Sequence, residues 1–375
     1  MNLTQKAIRG FRRMNWEQIK TLRVSVLFFL CACNQDQFYE KQYLDAAGKK
    51  LSAVGTEAAE TTPIPTNGVP NVDPLPTGGP IADAGKLLCN GTGYKESNDK
   101  FVQNSGKEGK VDILWVVDDS GSMGNEQEAL AKNFDAFIGE FIQKKVDFKM
   151  AVVTTDATVK HNGKIVGNSD QLLTAAKAAD DEVKFMNDFK SIVNVGVKGS
   201  GAEKGLQTSE AFLKNNAANF LRDDAFLVIV VLSDEEEQST KSVDEYVNYF
   251  RSLKSNPGMM KFYSIVTTEL SAIKGETIGS RYIEASQKTG GVYSSIKQDF
   301  YSTLTHMGGR IVDLLDSFAL SGIPFNSQFK VLVDGNEQKN GWSYDQQAHT
   351  IKFEQGSIPA EGSIVVVYYN VACTL

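Results

Sequence analysis

From residue 108 onward the chain alternates between short, almost unbroken apolar runs and longer stretches in which apolar residues return every three or four positions. The runs at residues 111–117, 148–154, 226–232 and 260–266 are rich in β-branched and aromatic side chains. Such runs predict strands buried on both faces, as in a parallel sheet. Residues 126–141, 203–215 and 243–253 carry helical spacing between them, and Phe300, Leu304, Met307, Ile311, Leu314, Leu315 and Phe318 continue it as a closing helix. The alternation predicts an α/β fold: a doubly wound, mostly parallel sheet with helices on both faces. From Leu320 the period changes to two, with runs at 329–333, 350–353 and 363–369 and a turn at Asp334-Gly335. This predicts a small C-terminal antiparallel β appendage over 319–375, either a domain or an extension of the main one.

The first hundred residues follow neither pattern. Six of the nine prolines fall between Pro63 and Pro80 among Thr, Gly and Asn, without apolar periodicity. Residues 33–107 therefore read as a tether, which as a flexible chain would reach on the order of 50 Å; the alternative is an ordered surface wrap. Residues 1–32 hold six Lys or Arg and one acid, or +5 of a formal −7, so the remainder stands at −12. A body that acidic repels phosphate backbones and shows no basic stripe with interleaved aromatics, which argues against nucleic acid as a partner. The apolar stretch at residues 24–30 is too short to span a bilayer but suits a signal peptide behind a basic lead. The plain alternative is a buried hydrophobic helix start.

That stretch runs into Leu30-Cys31-Ala32-Cys33, which resembles a bacterial lipobox. The resemblance implies a signal peptide over 1–32, starting at Met1 or Met14, and lipidation of Cys33, which anchors the chain to a membrane. Asn34 after the cysteine lacks the aspartate associated with inner-membrane retention and so points to the outer membrane. Cys89 and Cys373 are left, in an oxidising compartment where they form a candidate disulfide or remain separate thiols.

The chemistry sits at the end of the first predicted strand, in Asp118-Asp119-Ser120-Gly121-Ser122. A carboxylate and two hydroxyls at alternate positions of a tight loop can converge on one hard cation, because all three are oxygen donors. The ends of strands in an open α/β sheet are where ligands bind. Asp118-x-Ser120-x-Ser122 after an apolar strand resembles the metal-ion-dependent adhesion site of von Willebrand factor A domains, mapped here to residues 108–318. Asp234, after the strand at 226–232, matches the aspartate that the family supplies from a later loop, and Ser200 falls at its threonine position. The resemblance implies that Asp118, Ser120, Ser122, Ser200 and Asp234 hold Mg²⁺, or Mn²⁺ or Ca²⁺, with an open position for a carboxylate of a protein or glycan partner. The expected function is a surface-anchored, metal-dependent protein of adhesion type. The alternative is an envelope assembly or scaffold protein that uses the same site on a resident partner.

Two neighbours stay open at this point. Asp119 and Glu235-Glu236-Glu237 read either as solvated charge, or as a second cation site, or as the source of a preference for Ca²⁺ over Mg²⁺. Glu203 reads as a charge at a helix N-terminus or as an extra ligand. No enzyme is expected: His161, His306 and His349 are scattered, Ser120-Gly121-Ser122 lacks the glycine of a nucleophile elbow, and there is no Gly-Lys-Ser/Thr phosphate loop.

Overall fold

The structure is a computed structural model that describes residues 93–103, 109–167, 172–270 and 276–373. The chain divides into two units, Met1–Pro80 and Ile81–Leu375, and all described residues belong to the second. The signal peptide, Cys31, Cys33, the proline-rich stretch and Cys89 lie outside them. No helix among the described residues is long and apolar enough to cross a membrane.

The main sheet has six strands: β2 (Lys110–Val117), β3 (Asp147–Thr154), β4 (Leu173–Thr174), β5 (Phe226–Ser233), β6 (Met260–Val266) and β7 (Tyr293–Ser295). Their spatial order is β4-β3-β2-β5-β6-β7, parallel except for the short antiparallel edge strand β4. The four expected apolar runs are thus the four central strands, within a residue at each end. The order reverses at β2, so β2 lies between β3 and β5, and the loops leaving β2 and β5 open at the same end of the sheet.

Successive residues of β2 feed two cores. Ile113, Trp115 and Val117 pack with α1 (Gly124–Lys132), α2 (Phe134–Gln143), α4 (Glu182–Val193) and α8 (Phe300–Leu315), while Leu114 and Val116 pack with α5 (Gly205–Phe220), α6 (Val243–Ser252) and α7 (Ser280–Thr289). A further short helix, α3 (Ala175–Asp180), precedes α4. Burial on both faces explains the continuous hydrophobicity of these strands, and each fully buried large apolar side chain stabilises the fold by roughly 1.5–3 kcal/mol.

Three expectations change. The single helix expected over 126–141 is two, because Asn133 leaves helical geometry and turns its amide onto the Ala129 carbonyl at 2.8 Å. The tether expected over 33–107 ends sooner: Tyr94–Val102 forms strand β1, paired residue for residue with β13 (Ile364–Ala372). Its alternation of half-buried and exposed positions is that of a strand covered on one side. The C-terminal β portion is therefore completed from the N-terminal side, as a four-stranded sheet β1-β13-β9-β10 with β9 (Pro324–Val333) and β10 (Asn336–Gln338). A three-stranded sheet of β8 (Phe318–Ala319), β11 (Trp342–Asp345) and β12 (Thr350–Phe353) packs on it around Val331, Ile351, Val365, Val367 and Tyr369.

The expected Asp334-Gly335 turn joins β9 to β10, with positive φ at both residues, the geometry of a tight hairpin turn. Tyr369 donates to Asp99 at 2.7 Å and so ties β13 to β1 a second time. Lys261 on β6, fully buried, reaches the Ala348 carbonyl at 2.7 Å and links the main sheet to the β portion. Its ammonium is pushed down to about 7 by burial. Cys373 is disulfide-bonded; Cys89, its expected partner, is not among the described residues.

Candidate metal centre

Asp118 follows β2 directly and is wholly buried. Its carboxylate is fixed from two directions: Oδ1 accepts from the Ser120 backbone N–H at 2.7 Å, and Oδ2 accepts from the Ser233 hydroxyl at 2.6 Å. The first bond is the turn that an aspartate makes with the backbone two residues on. It brings the Ser120 and Ser122 hydroxyls to 3.3 Å from each other. Two donors at adjacent corners of an octahedron with radii of about 2.1–2.4 Å stand about 3.0–3.4 Å apart, so this separation suits neighbouring ligands of one cation. Gln127 on α1 holds the loop from behind, donating to the Asp118 and Gly196 carbonyls and accepting from the Gly196 N–H.

Asp234, one residue past β5, is 7% exposed. Burial raises its pKa against the pull of a hydrogen bond from Ser122, and the charge of Asp118 adds to the rise. Ser122 thus lies beside Asp234, and the loops after β2 and β5 meet. Oδ1 of Asp234 is buried without a hydrogen-bond partner.

Ser200 is half-buried, and its hydroxyl accepts from the Ala202 N–H at 3.1 Å within its own loop. The side chain of this loop set against Asp118 is Glu203, which is 0% exposed. Glu203 is no helix charge, because α5 begins only at Gly205. Its backbone is clamped between two elements: the neighbouring Lys204 N–H donates to the Thr155 carbonyl at 3.1 Å, and the Gln238 N–H donates to the Glu203 carbonyl at 2.6 Å. Neither carboxylate oxygen of Glu203 has a hydrogen bond of regular geometry, and neither does the Thr155 hydroxyl beside it. Burial first, then the charge of Asp118, pushes Glu203 up to about 9.

Asp119 is also buried, with Oδ1 unpartnered, and is raised to about 6 by burial and then by Asp156 and Asp118. Its carboxylate lies against Gly199, where a Cβ would come within 2.1 Å of Oδ1, so no larger residue fits there. His161 is the basic group near it. The acidic run after Asp234 is not a simple solvated loop. Glu236 accepts from the Ser280 and Arg281 N–H groups at the start of α7, and Glu237 pairs with Arg281 at 2.8 Å. Glu235 is half-buried and raised by burial, Asp118 and Asp234.

Among the described residues no Lys or Arg forms an ion pair with Asp118, Asp119, Glu203 or Asp234. Nor is there, among them, a compact group of three or more His, Cys, Asp or Glu side chains already drawn together as metal ligands. What the loops offer is a mixed set of carboxylates and hydroxyls with several buried, unpartnered oxygens. Buried acceptors without donors are costly unless a cation or protons satisfy them, so this donor set fits a hard divalent ion.

No family model matches the chain, and no curated protein matches it. Solved structures do. The pilus adhesin SpaC of Lactobacillus rhamnosus GG in its open conformation aligns with a TM-score of 0.37 and 11% identity, over 75% of this chain and 41% of its own. Proximal thread matrix protein 1 of the mussel byssus aligns with a TM-score of 0.37 and 12% identity, over 55% of this chain and 48% of its own. The chain thus spans less than half the length of each of these proteins, and the reading of the site rests on its own residues.

Proposed function

We propose that this chain is a lipid-anchored envelope protein that displays a von Willebrand factor A type domain, doubly wound over residues 108–318, and binds a partner through a divalent cation. The cation would be held by Asp118, Ser120, Ser122 and Asp234, with Ser200 as the fifth residue of the family pattern. When bound it supplies a positive centre with an open position for an oxygen donor of the partner. The role is adhesion: the site sits on loops at one end of a rigid sheet, where a ligand can reach it.

The observation that supports this reading best is the convergence of Asp118, Ser122 and Asp234 from two loops, with buried oxygens that no side-chain cation among the described residues pairs with. The test is Asp118→Ala. The variant is expected to fold and to lose Mg²⁺, Mn²⁺ and Ca²⁺ binding by more than about 100-fold in calorimetric titration, with partner capture from cells lost in parallel and abolished by EDTA in the wild type. Wild-type cation affinity in Asp118→Ala would refute it.

A further inference from the structure

We propose that Glu203 is a third carboxylate ligand of this centre, and that its charge directs the site toward Ca²⁺ and toward a neutral oxygen donor, a hydroxyl or amide carbonyl, instead of a partner carboxylate. This rests on the metal-binding reading above.

The geometry is independent of the Asp-x-Ser-x-Ser motif. Glu203 comes from a different loop, is fully buried, and has no hydrogen bond of regular geometry at either oxygen, with only the Thr155 hydroxyl and Asp118 beside them, while its main chain is fixed by Lys204 to Thr155 and by Gln238. A buried glutamate that serves only the fold finds a donor, as Glu237 does in Arg281 and Glu210 does in Lys241. Glu203 faces Asp118 instead, with the charge of Glu235 also near it, and Asp118 in turn acts on Asp234.

The charge arithmetic decides the ligand. Asp118, Asp234 and Glu203 bring three negative charges to an ion of charge +2, and the half-buried Glu235 adds to them. An incoming carboxylate would meet net repulsion in a buried setting, where like charges are poorly screened. A hydroxyl or amide carbonyl can take the open position without that cost. Ca²⁺ accepts six to eight oxygens in flexible geometry and commonly several carboxylates, whereas Mg²⁺ demands a tight octahedron and is ordinarily held by one or two.

The test compares the full chain with Glu203→Gln, Glu203→Thr and Asp118→Ala. In calorimetric titration the wild type is expected to bind Ca²⁺ more tightly than Mg²⁺, and Glu203→Gln to lose at least about 10-fold in Ca²⁺ affinity. With Mn²⁺ bound, water-proton relaxation is expected to stay unchanged on addition of acetate in the wild type and to fall in Glu203→Thr, where acetate displaces water. Without metal, Glu203→Gln is expected to melt higher than the wild type, because the cost of burying a carboxyl group that no cation offsets is removed. Unchanged Ca²⁺ affinity in Glu203→Gln, acetate displacing water in the wild type, or a lower melting temperature of metal-free Glu203→Gln would each overturn the proposal. Absence of cation binding in the wild type would instead defeat the underlying metal reading.

Discussion

Strand β2 carries a buried aspartate near its start and another just past its end, and their surroundings are opposite. Asp112, at the third residue of β2, accepts from the Arg222 backbone at 2.7 Å and from its guanidinium at 2.8 Å, and Lys254 adds positive charge nearby. The same guanidinium group bonds the Val111 and Asp147 carbonyls. Asp118 has only hydroxyl and amide donors, and faces Glu203 and Asp234. One end of the sheet is thus internally neutralised, while the other gathers negative charge that no Lys or Arg among the described residues pairs with. Folding alone gives no reason for the second arrangement; the proposed cation would.

The sharpest way to break this contrast is to uncompensate the first end. Arg222→Ala is expected to destabilise the protein by about 3–5 kcal/mol in denaturant unfolding, because it strands Asp112 in the core, while cation affinity of the folded fraction stays unchanged. A loss below about 1 kcal/mol would show that the two aspartates are not so different.

The next effect concerns the other end. A divalent cation at about 100 times its dissociation constant is expected to raise stability by about 2.7 kcal/mol in the wild type and by nothing measurable in Asp118→Ala. Equal stabilisation of both would place the ion elsewhere.

A third effect is a pH dependence. Glu203 is raised to about 9 in the folded protein from 4.5, so the folded state keeps a proton that the unfolded chain releases across this interval. Stability of the metal-free protein is therefore expected to fall as pH rises from about 4.5 to about 9. Glu203→Gln should flatten the slope, and chemical denaturation at several pH values would detect it; an unchanged slope would remove Glu203 as its source.

Much of this was legible in the residues, for physical reasons that also explain what was not. The central strands are buried on both faces, so their composition alone marks them. β1 was hidden because its alternation is broken by Asn98, Asp99 and Lys100 and its partner lies more than 260 positions away. Asp118, Ser120, Ser122 and Asp234 could be found because two lie at fixed spacing from Asp118 and the last follows a strand. Glu203 could not be assigned, since a glutamate two residues before a helix usually interacts with the helix terminus, and only the clamp at Thr155 and Gln238 turns it inward. The Glu235-Glu236-Glu237 run looks uniform in sequence, yet its members have three different fates, set by where Arg281 and the start of α7 fall.

The β1–β13 pairing also determines how the molecule would bear load. Because Tyr94–Val102 is matched to β13 at all nine positions, a pull directed along β1 loads those rungs together, in shear, instead of opening them one after another.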